Sequence, residues 1–192
     1  LGGTCVNTGC TPTKTLRKSA RVAHLARRAA DFGVRTGPVE VDFAAAMARM
    51  RAHSDTAREK LTAWLAGTAG LSVIHGWGRF DGPEPDGRFR VAVGDRILRA
   101  RHVYLNTGTR PFLPEVPGID SIAPLDNAGV LALNERREQL VVVGGSYIGL
   151  ELGQIFARLG SRVTILHRAG RLAEREDADV SGIITDIMRA EG

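Results

Sequence analysis

The sequence predicts an α/β protein, and three observations support that class. Residues 139–168, "QLVVVGGSYIGLELGQIFARLGSRVTILHR", show an apolar strand, a glycine turn, a helix and a second strand, the outline of a βαβ unit. Residues 43–67, "FAAAMARMRAHSDTAREKLTAWLAG", repeat apolar side chains at helical spacing. Between these segments, short apolar runs alternate with turn clusters such as "DGPEPDG", which is typical of a small antiparallel meander.

The remaining elements follow in chain order. A helix rich in Ala, Leu and Arg is predicted from Pro12 to Gly33, where the glycine ends it. Asp42 is predicted to cap the second helix, whose stripe comprises Phe43, Met47, Met50, Ala57, Leu61 and Trp64. The strand region covers residues 71–108 and is expected to finish in a buried strand at Val103 to Asn106. The Pro-rich segment 110–120 reads as a linker between domains.

Composition excludes several classes of protein. The net charge is +5, but the basic residues are scattered among acidic ones and only 5% of residues are aromatic, so a nucleic-acid partner is not expected. No apolar run approaches the roughly 18 residues that span a bilayer. Two cysteines are too few for a secreted disulfide scaffold, which favours the cytoplasm. Because the chain starts at Leu1 within a patterned segment, we expect it to be part of a longer protein.

The turn of the βαβ outline carries a fingerprint for dinucleotides. Gly144, Ser146 and Gly149 occupy the three slots of G-x-G-x-x-G between strand and helix. Small residues there let backbone N–H groups and the helix N-terminus approach a pyrophosphate. Ser146 departs from the ideal glycine, although Gly145 beside it can keep the turn tight. The alternative is a turn whose glycines serve packing only.

The end of the second strand bears on which nicotinamide nucleotide binds. NAD sites usually place a carboxylate there for the ribose 2′-hydroxyl. This sequence has His167, Arg168 and Arg171 instead, and no acid before Glu174. A guanidinium can bind a 2′-phosphate that a carboxylate would repel, so NADPH is predicted in preference to NADH. The alternative is that these arginines are ordinary solvent-exposed residues of an arginine-rich chain.

Cys5 and Cys10, the only two cysteines, lie in the loop "GGTCVNTGCTPTK". A zinc half-site would need closer spacing and further ligands, and the five histidines are isolated in the sequence. A redox-active disulfide fits better, because Cys10 lies near a predicted helix N-terminus with Lys14 one turn on, and both stabilise a thiolate.

This loop resembles the active-site segment of the class I pyridine nucleotide–disulfide oxidoreductases, which include glutathione reductase, dihydrolipoamide dehydrogenase and mercuric reductase. The stretches "NTGTRPFLPEVPG", "GGSYIGLE" and "LAEREDADVS" are similar to further family segments in the same order. Asn106 stands where the family commonly has alanine. The details around the cysteines and "LHR" are most similar to the mercuric-reductase-like members.

The resemblance implies a role for each matching residue. Cys10 would be the charge-transfer thiol against FAD, and Cys5 the interchange thiol that attacks substrate. Lys14 would lie near the flavin and pair with Glu151, and Tyr147 would cover the flavin until nicotinamide displaces it. The implied FAD contacts are Gly3, Thr4, Lys14, Gly76, Gly78, Thr107 and Gly108. The implied nicotinamide-nucleotide contacts are Gly144, Ser146, Tyr147, Ile148, Gly149, Glu151, His167 and Arg168, and no metal ligand is assigned.

The resemblance also implies a domain plan and an activity. Residues 1–122 would belong to a Rossmann-like FAD-binding domain with the antiparallel meander, and 123–192 to a Rossmann-like NAD(P)-binding domain, each incomplete. The full-length homodimer would pass electrons from NADPH through FAD to the Cys5–Cys10 disulfide and on to a soft metal ion or a disulfide. Alternatives are a dihydrolipoamide dehydrogenase or glutathione-reductase type of enzyme, and a non-enzymatic thiol module that binds metal. The 192 residues alone are expected to be inactive.

Overall fold

The computed structural model describes all 192 residues and confirms the α/β class. The chain forms two compact units, one of Leu1 with Glu59–Phe112 and one of Gly2–Arg58 with Leu113–Gly192. These units are defined by how compactly the chain packs, whereas the predicted domains are defined by the cofactor that each would bind. The predicted domain boundary after residue 122 therefore stays a prediction. No helix combines the length and the apolar character that a bilayer crossing requires.

The larger unit begins with helices. Helix α1 (Gly3–Asn7) is a single short turn, α2 (Cys10–Arg27) is long, and a 3₁₀ turn (Ala29–Phe32) follows before Gly33 stops the segment in a left-handed conformation. Helix α3 (Phe43–Ala66) starts as predicted, because the Asp42 carboxylate accepts a hydrogen bond of 2.8 Å from the Ala45 N–H. The predicted helical segments are therefore confirmed, with a break after Arg27.

The βαβ unit is also confirmed. Strand β4 (Gln139–Val143), helix α5 (Tyr147–Arg158) and strand β5 (Arg162–Leu166) follow one another, and the two strands pair in parallel with Val143 opposite Leu166. A short helix α4 (Asn127–Leu131) precedes them and α6 (Ala178–Ala190) follows. A βαβ connection between parallel strands leaves the glycine turn and the carboxyl ends of both strands at one edge.

One apolar core joins these elements. Helices α2 and α5 pack against each other, and the rings of Phe43 on α3 and Phe156 on α5 meet at a centroid distance of 5.9 Å. The buried members are Leu16, Ala20, Phe43, Ala46, Met47, Met50, Val130, Leu131, Leu133, Ile155, Phe156 and Leu159. Burying each of the larger side chains among them stabilises the unit by about 1.5–3 kcal/mol relative to exposure. The core therefore holds the helix that starts at Cys10 against the helix that starts after the glycine turn.

The smaller unit contains the predicted meander. Strands β1 (Gly78–Pro83), β2 (Phe89–Val93) and β3 (Arg96–Ala100) pair antiparallel in the order β1-β2-β3. The register shifts between Phe80 and Pro83, next to the turn that joins β1 to β2.

Two sequence predictions are wrong. Residues Val103 to Asn106 form no strand, and Tyr104 and Leu105 are largely exposed, because no other strand in the chain pairs with them. A buried strand needs neighbours for its backbone groups on both sides. The predicted stripe of α3 is buried only in its first half, and Trp64 is 66% exposed.

Candidate functional site

The thiol pair lies where α1 gives way to α2. Cys5 is in the middle of α1, and Cys10 is the first residue of α2. Gly9 separates the two helices, and a Cβ built there would lie 2.9 Å from the Thr4 carbonyl oxygen, closer than real side chains come. The start of α2 can therefore pass directly against α1 only because residue 9 is glycine. This close approach brings the two cysteines together.

Both cysteines are exposed free thiols. A hydrogen bond with the Cys10 side chain raises the pKa of the Cys5 thiol above its ordinary value, with smaller contributions from burial and from the charge that an ionised Cys10 carries. Cys5 therefore keeps its proton at neutral pH. The structure brings the predicted pair together, and its oxidation to a disulfide stays a prediction.

Polar side chains that the sequence analysis did not identify hold the thiol loop. Asn127 donates a hydrogen bond of 2.7 Å to the Thr8 carbonyl, and Asn7 donates one of 2.9 Å to the Gly3 carbonyl. Arg58 on α3 donates to the Asn7 side chain at 3.3 Å. Asparagine and arginine in a loop or on a helix surface carry no distinctive spacing, so no local signal identifies them in the sequence.

Lys14 and Glu151 form an ion pair between α2 and α5. The residues are 137 positions apart, and the predicted pairing is confirmed. A second contact joins the far ends of the same helices, where Arg27 donates a hydrogen bond of 2.6 Å to the Arg158 carbonyl. Glu151 lies in the second turn of the helix that begins at the glycine turn, so the pair links the thiol helix to that turn.

The glycine turn has the geometry that its fingerprint predicts. Gly144 adopts a left-handed φ of 119°, and a Cβ at Gly149 would overlap the Gly144 carbonyl oxygen. Ser146 lies in the N-cap position of α5 in extended backbone, and its side chain makes no capping hydrogen bond. Tyr147 and Ile148 are 74% and 50% exposed, so the first turn of α5 is open to solvent.

The polar side chains that follow β5 differ in their exposure to solvent. The side chain of His167 is only 12% exposed, and its Nδ1 accepts a hydrogen bond of 3.2 Å from the Gly145 N–H. Arg168 is exposed and forms no ion pair, whereas Arg171 donates to the carbonyls of Glu174 and Glu176. Of the basic residues in this segment, Arg168 is thus available to a ligand.

The remaining predicted cofactor residues are distributed between the units. Gly3 and Thr4 lie in α1 beside Cys5. Gly76, Gly78, Thr107 and Gly108 lie in the smaller unit, where Gly76 packs so closely on Val93 that a Cβ would come within 2.6 Å of its methyl group. Gly108 has a left-handed φ of 73°. Trp77, between the two glycines, is 91% exposed.

These residues fit the two cofactors that the fingerprint and the thiol loop imply. At the turn, small residues leave the first backbone N–H groups of α5 uncovered, which suits a pyrophosphate. At the thiol loop, a Cβ at Gly3 would meet nothing within 4 Å, so the surface beside Cys5 is slim and open enough for a flat ring system. Lys14 supplies a cation on the same helix as Cys10.

Comparison with known proteins gives one consistent result. The chain matches the family described as pyridine nucleotide-disulphide oxidoreductase over residues 1–192. It is 37% identical over 196 aligned positions to the mercuric reductase of Streptomyces lividans, covering 100% of this chain and 40% of the relative. It is 34% identical over 186 positions to dihydrolipoyl dehydrogenase 1, mitochondrial, of Arabidopsis thaliana, covering 94% of this chain and 36% of that protein.

A solved structure agrees. The Cu(II) complex of the HOCl-induced flavoprotein disulfide reductase RclA from Escherichia coli superposes with a TM-score of 0.81 at 32% identity, covering 100% of this chain and 39% of that one. The chain thus spans about two fifths of the length of these relatives. The match of the family over every residue, together with the thiol loop and the glycine turn, shows that the chain belongs to the pyridine nucleotide-disulphide oxidoreductases.

Proposed function

We propose that this chain is the thiol-bearing and nicotinamide-binding part of an FAD-dependent oxidoreductase that takes electrons from NADPH. Cys5 and Cys10 would carry the electrons as a disulfide and dithiol couple. The observation that carries the proposal is the ion pair of Lys14 and Glu151, which links the helix that starts at Cys10 to the helix that starts at the glycine turn.

Each part of the chain has a task in this proposal. The backbone of the Gly144–Gly149 turn and the N-terminus of α5 bind the pyrophosphate, and Arg168 binds the 2′-phosphate. Bound FAD would supply the two-electron transfer between nicotinamide and disulfide. Lys14, oriented by Glu151, places a positive charge one turn from Cys10, and Tyr147 would cover the flavin until the nicotinamide displaces it.

The thiol pair passes the electrons on to the acceptor. Reduction of the disulfide by NADPH takes up one proton and leaves both thiols, and Cys5, whose pKa is raised by its hydrogen bond with Cys10, holds its proton. Transfer of two electrons to Hg(II) then breaks both S–H bonds, reforms the S–S bond and releases two protons. A disulfide substrate would instead accept both electrons and protons and leave as two thiols.

A soft metal ion is the acceptor that the relatives favour. Proteins similar to this chain include mercuric reductases, and a similar solved structure is a Cu(II) complex. Thiolates are preferred ligands of such ions. A dihydrolipoamide dehydrogenase type of activity is the second candidate, because a dihydrolipoyl dehydrogenase is 34% identical. We further propose a cytoplasmic homodimer.

The full-length protein tests the proposal. It should purify yellow, oxidise NADPH with Hg(II) as acceptor, and lose that turnover in Cys5→Ser and in Cys10→Ser. Lys18→Met, a change of an exposed lysine on the same helix, should keep it. Faster turnover with lipoamide or oxidised glutathione than with Hg(II) would show that the acceptor is a disulfide and not a metal ion. A colourless protein that binds metal stoichiometrically through its thiols would establish the non-enzymatic alternative.

A further inference from the structure

The end of β5 and the chain that follows it hold the glycine turn by three hydrogen bonds. The Gly144 N–H donates to the Leu166 carbonyl at 2.8 Å, and the Ala173 N–H donates to the Gly145 carbonyl at 2.8 Å. The third bond runs from the Gly145 N–H to Nδ1 of His167 at 3.2 Å. It is the only one of the three that depends on a side chain.

The imidazole of His167 fits tightly against the turn. A Cβ built at Gly145 would lie 2.9 Å from its Cγ and 2.6 Å from Cδ2 of Leu172, so only glycine leaves the ring this position. An Nδ1 that accepts a hydrogen bond carries no proton, which assigns the neutral ring with its hydrogen on Nε2. That Nε2 is buried without a hydrogen-bond partner.

The charged groups around the ring favour a different position once it is protonated. Oε2 of Glu174 lies 4.0 Å from Nε2 and is the acid nearest to it. His167 lines a cavity that Asp186 and Arg189 of α6 and Arg171 also line. Helix α5 contributes only uncharged residues to it, namely Gly153, Gln154 and Ala157. Arg171 is held by backbone carbonyls, and Glu191, which also lines this cavity, is paired with Arg158. An imidazolium is therefore attracted to Glu174 and can no longer accept from Gly145.

We propose that His167 is a positioning residue for the nucleotide: the neutral ring holds the Gly145 peptide so that the turn is preset for the pyrophosphate. Protonation transfers the ring to Glu174 and releases the turn. The inference rests on the proposed nicotinamide site but goes beyond it, because it assigns His167 to the turn and not to the 2′-phosphate. Nucleotide affinity should then fall in acid because the protein loses its preset turn, in addition to any effect of protonating the nucleotide.

Calorimetric titration of the full-length protein with NADP⁺ between pH 5.5 and pH 8 tests this. The 2′-phosphate itself titrates at about pH 6, so the comparison of variants is the readout. His167→Asn keeps an acceptor near the Nδ1 position that cannot be protonated. It should bind NADP⁺ within about threefold of wild type at pH 8. Its loss of affinity between pH 8 and pH 5.5 should be about tenfold smaller than the loss in wild type. His167→Ala should bind more weakly throughout. Glu174→Gln, which removes the carboxylate that attracts the protonated ring, should lose less affinity in acid than wild type. His102→Asn, at an exposed histidine, is the matched control.

Amide exchange of Gly145 supplies a readout that needs no nucleotide. After correction for the intrinsic pH dependence, exchange should be slow in wild type and His167→Asn at pH 8 and faster in His167→Ala. A His167→Ala protein with unchanged Gly145 exchange and unchanged affinity overturns the inference. If wild type binds no NADP⁺, the proposed function fails, and the exchange rates alone decide whether His167 holds the turn.

Discussion

Nζ of Lys14 and Oε1 of Glu151 meet in an ion pair that ties the thiol helix to the nucleotide helix. Lys14 is 61% exposed, so solvent screens the pair, and we expect Lys14→Met or Glu151→Gln to change the free energy of unfolding by less than about 1 kcal/mol. Turnover should nevertheless fall strongly in both variants, because Lys14 carries its charge one turn from Cys10 on the same helix. Steady-state kinetics and urea unfolding measure the two effects. A Lys14→Met enzyme as active as Lys18→Met would contradict the assigned role.

The raised pKa of Cys5 predicts its reactivity. Iodoacetamide reacts with thiolates, so alkylation of Cys5 in the reduced protein should be slower at pH 8 than that of an ordinary cysteine. Cys10→Ala removes the hydrogen-bond partner and the competing charge, and should therefore lower the pKa of Cys5 and speed its alkylation. Mass spectrometry of the labelled peptides against pH gives both rates. A slower Cys5 in Cys10→Ala would show that the hydrogen bond has the opposite effect.

Gly149 should tolerate no side chain. In Gly149→Ala the new Cβ would overlap the Gly144 carbonyl oxygen and lie 3.2 Å from a Val142 methyl, so the turn must open. NADPH binding should be lost and the melting temperature should drop. Gly182→Ala is the matched control: it lies in α6 with nothing within 4 Å of the added methyl and should stabilise by roughly 0.5–1 kcal/mol. Calorimetry measures the NADPH affinity and the melting temperature of both variants. Normal NADPH affinity in Gly149→Ala would refute this geometry.

Arg168 should set the choice of nucleotide. Arg168→Glu replaces the exposed guanidinium at the end of β5 by a charge that repels a 2′-phosphate, so affinity for NADPH should fall roughly tenfold or more relative to NADH. Arg162→Glu makes the same charge change at the other end of the strand and should leave the ratio unchanged. Dissociation constants for both nucleotides provide the ratio. An unaltered preference in Arg168→Glu removes the 2′-phosphate assignment.

Glu191 should contribute stability that depends on pH. Burial by itself would raise the pKa of Glu191, but the hydrogen bonds and charge of Arg158 outweigh it and lower that pKa. The contribution is then complete above the ordinary glutamate pKa of about 4.3 and is lost as pH falls through the lower folded value. Glu191→Gln should therefore cost about 1 kcal/mol at pH 7 and nearly nothing at pH 2.

Urea unfolding at the two pH values measures this difference. Glu176→Gln, at an exposed glutamate, serves as the control that should change neither value. Equal losses for Glu191→Gln at both pH values would show that Arg158 does not lower the pKa.

Local sequence patterns account for much of the fold. The Asp42 cap, the glycine turn and the parallel pair β4–β5 all appear where periodicity and turn chemistry predict them. One exception shows where local patterns fail. Val103 to Asn106 read as a strand, but a strand forms only beside a partner, and the chain supplies none.

The sequence by itself determined most of the helices, strands and turns, and it marked both the thiol loop and the dinucleotide turn, because each depends on residues close together in the chain. Only the tertiary structure decided that Gly9 passes the Thr4 carbonyl and that Asn127 holds Thr8. It also decided that His167 turns inward to Gly145 while Arg168 stays outside. These contacts arise from packing between elements, and a side chain's direction after a strand is set by the space its neighbours leave, which no local pattern records.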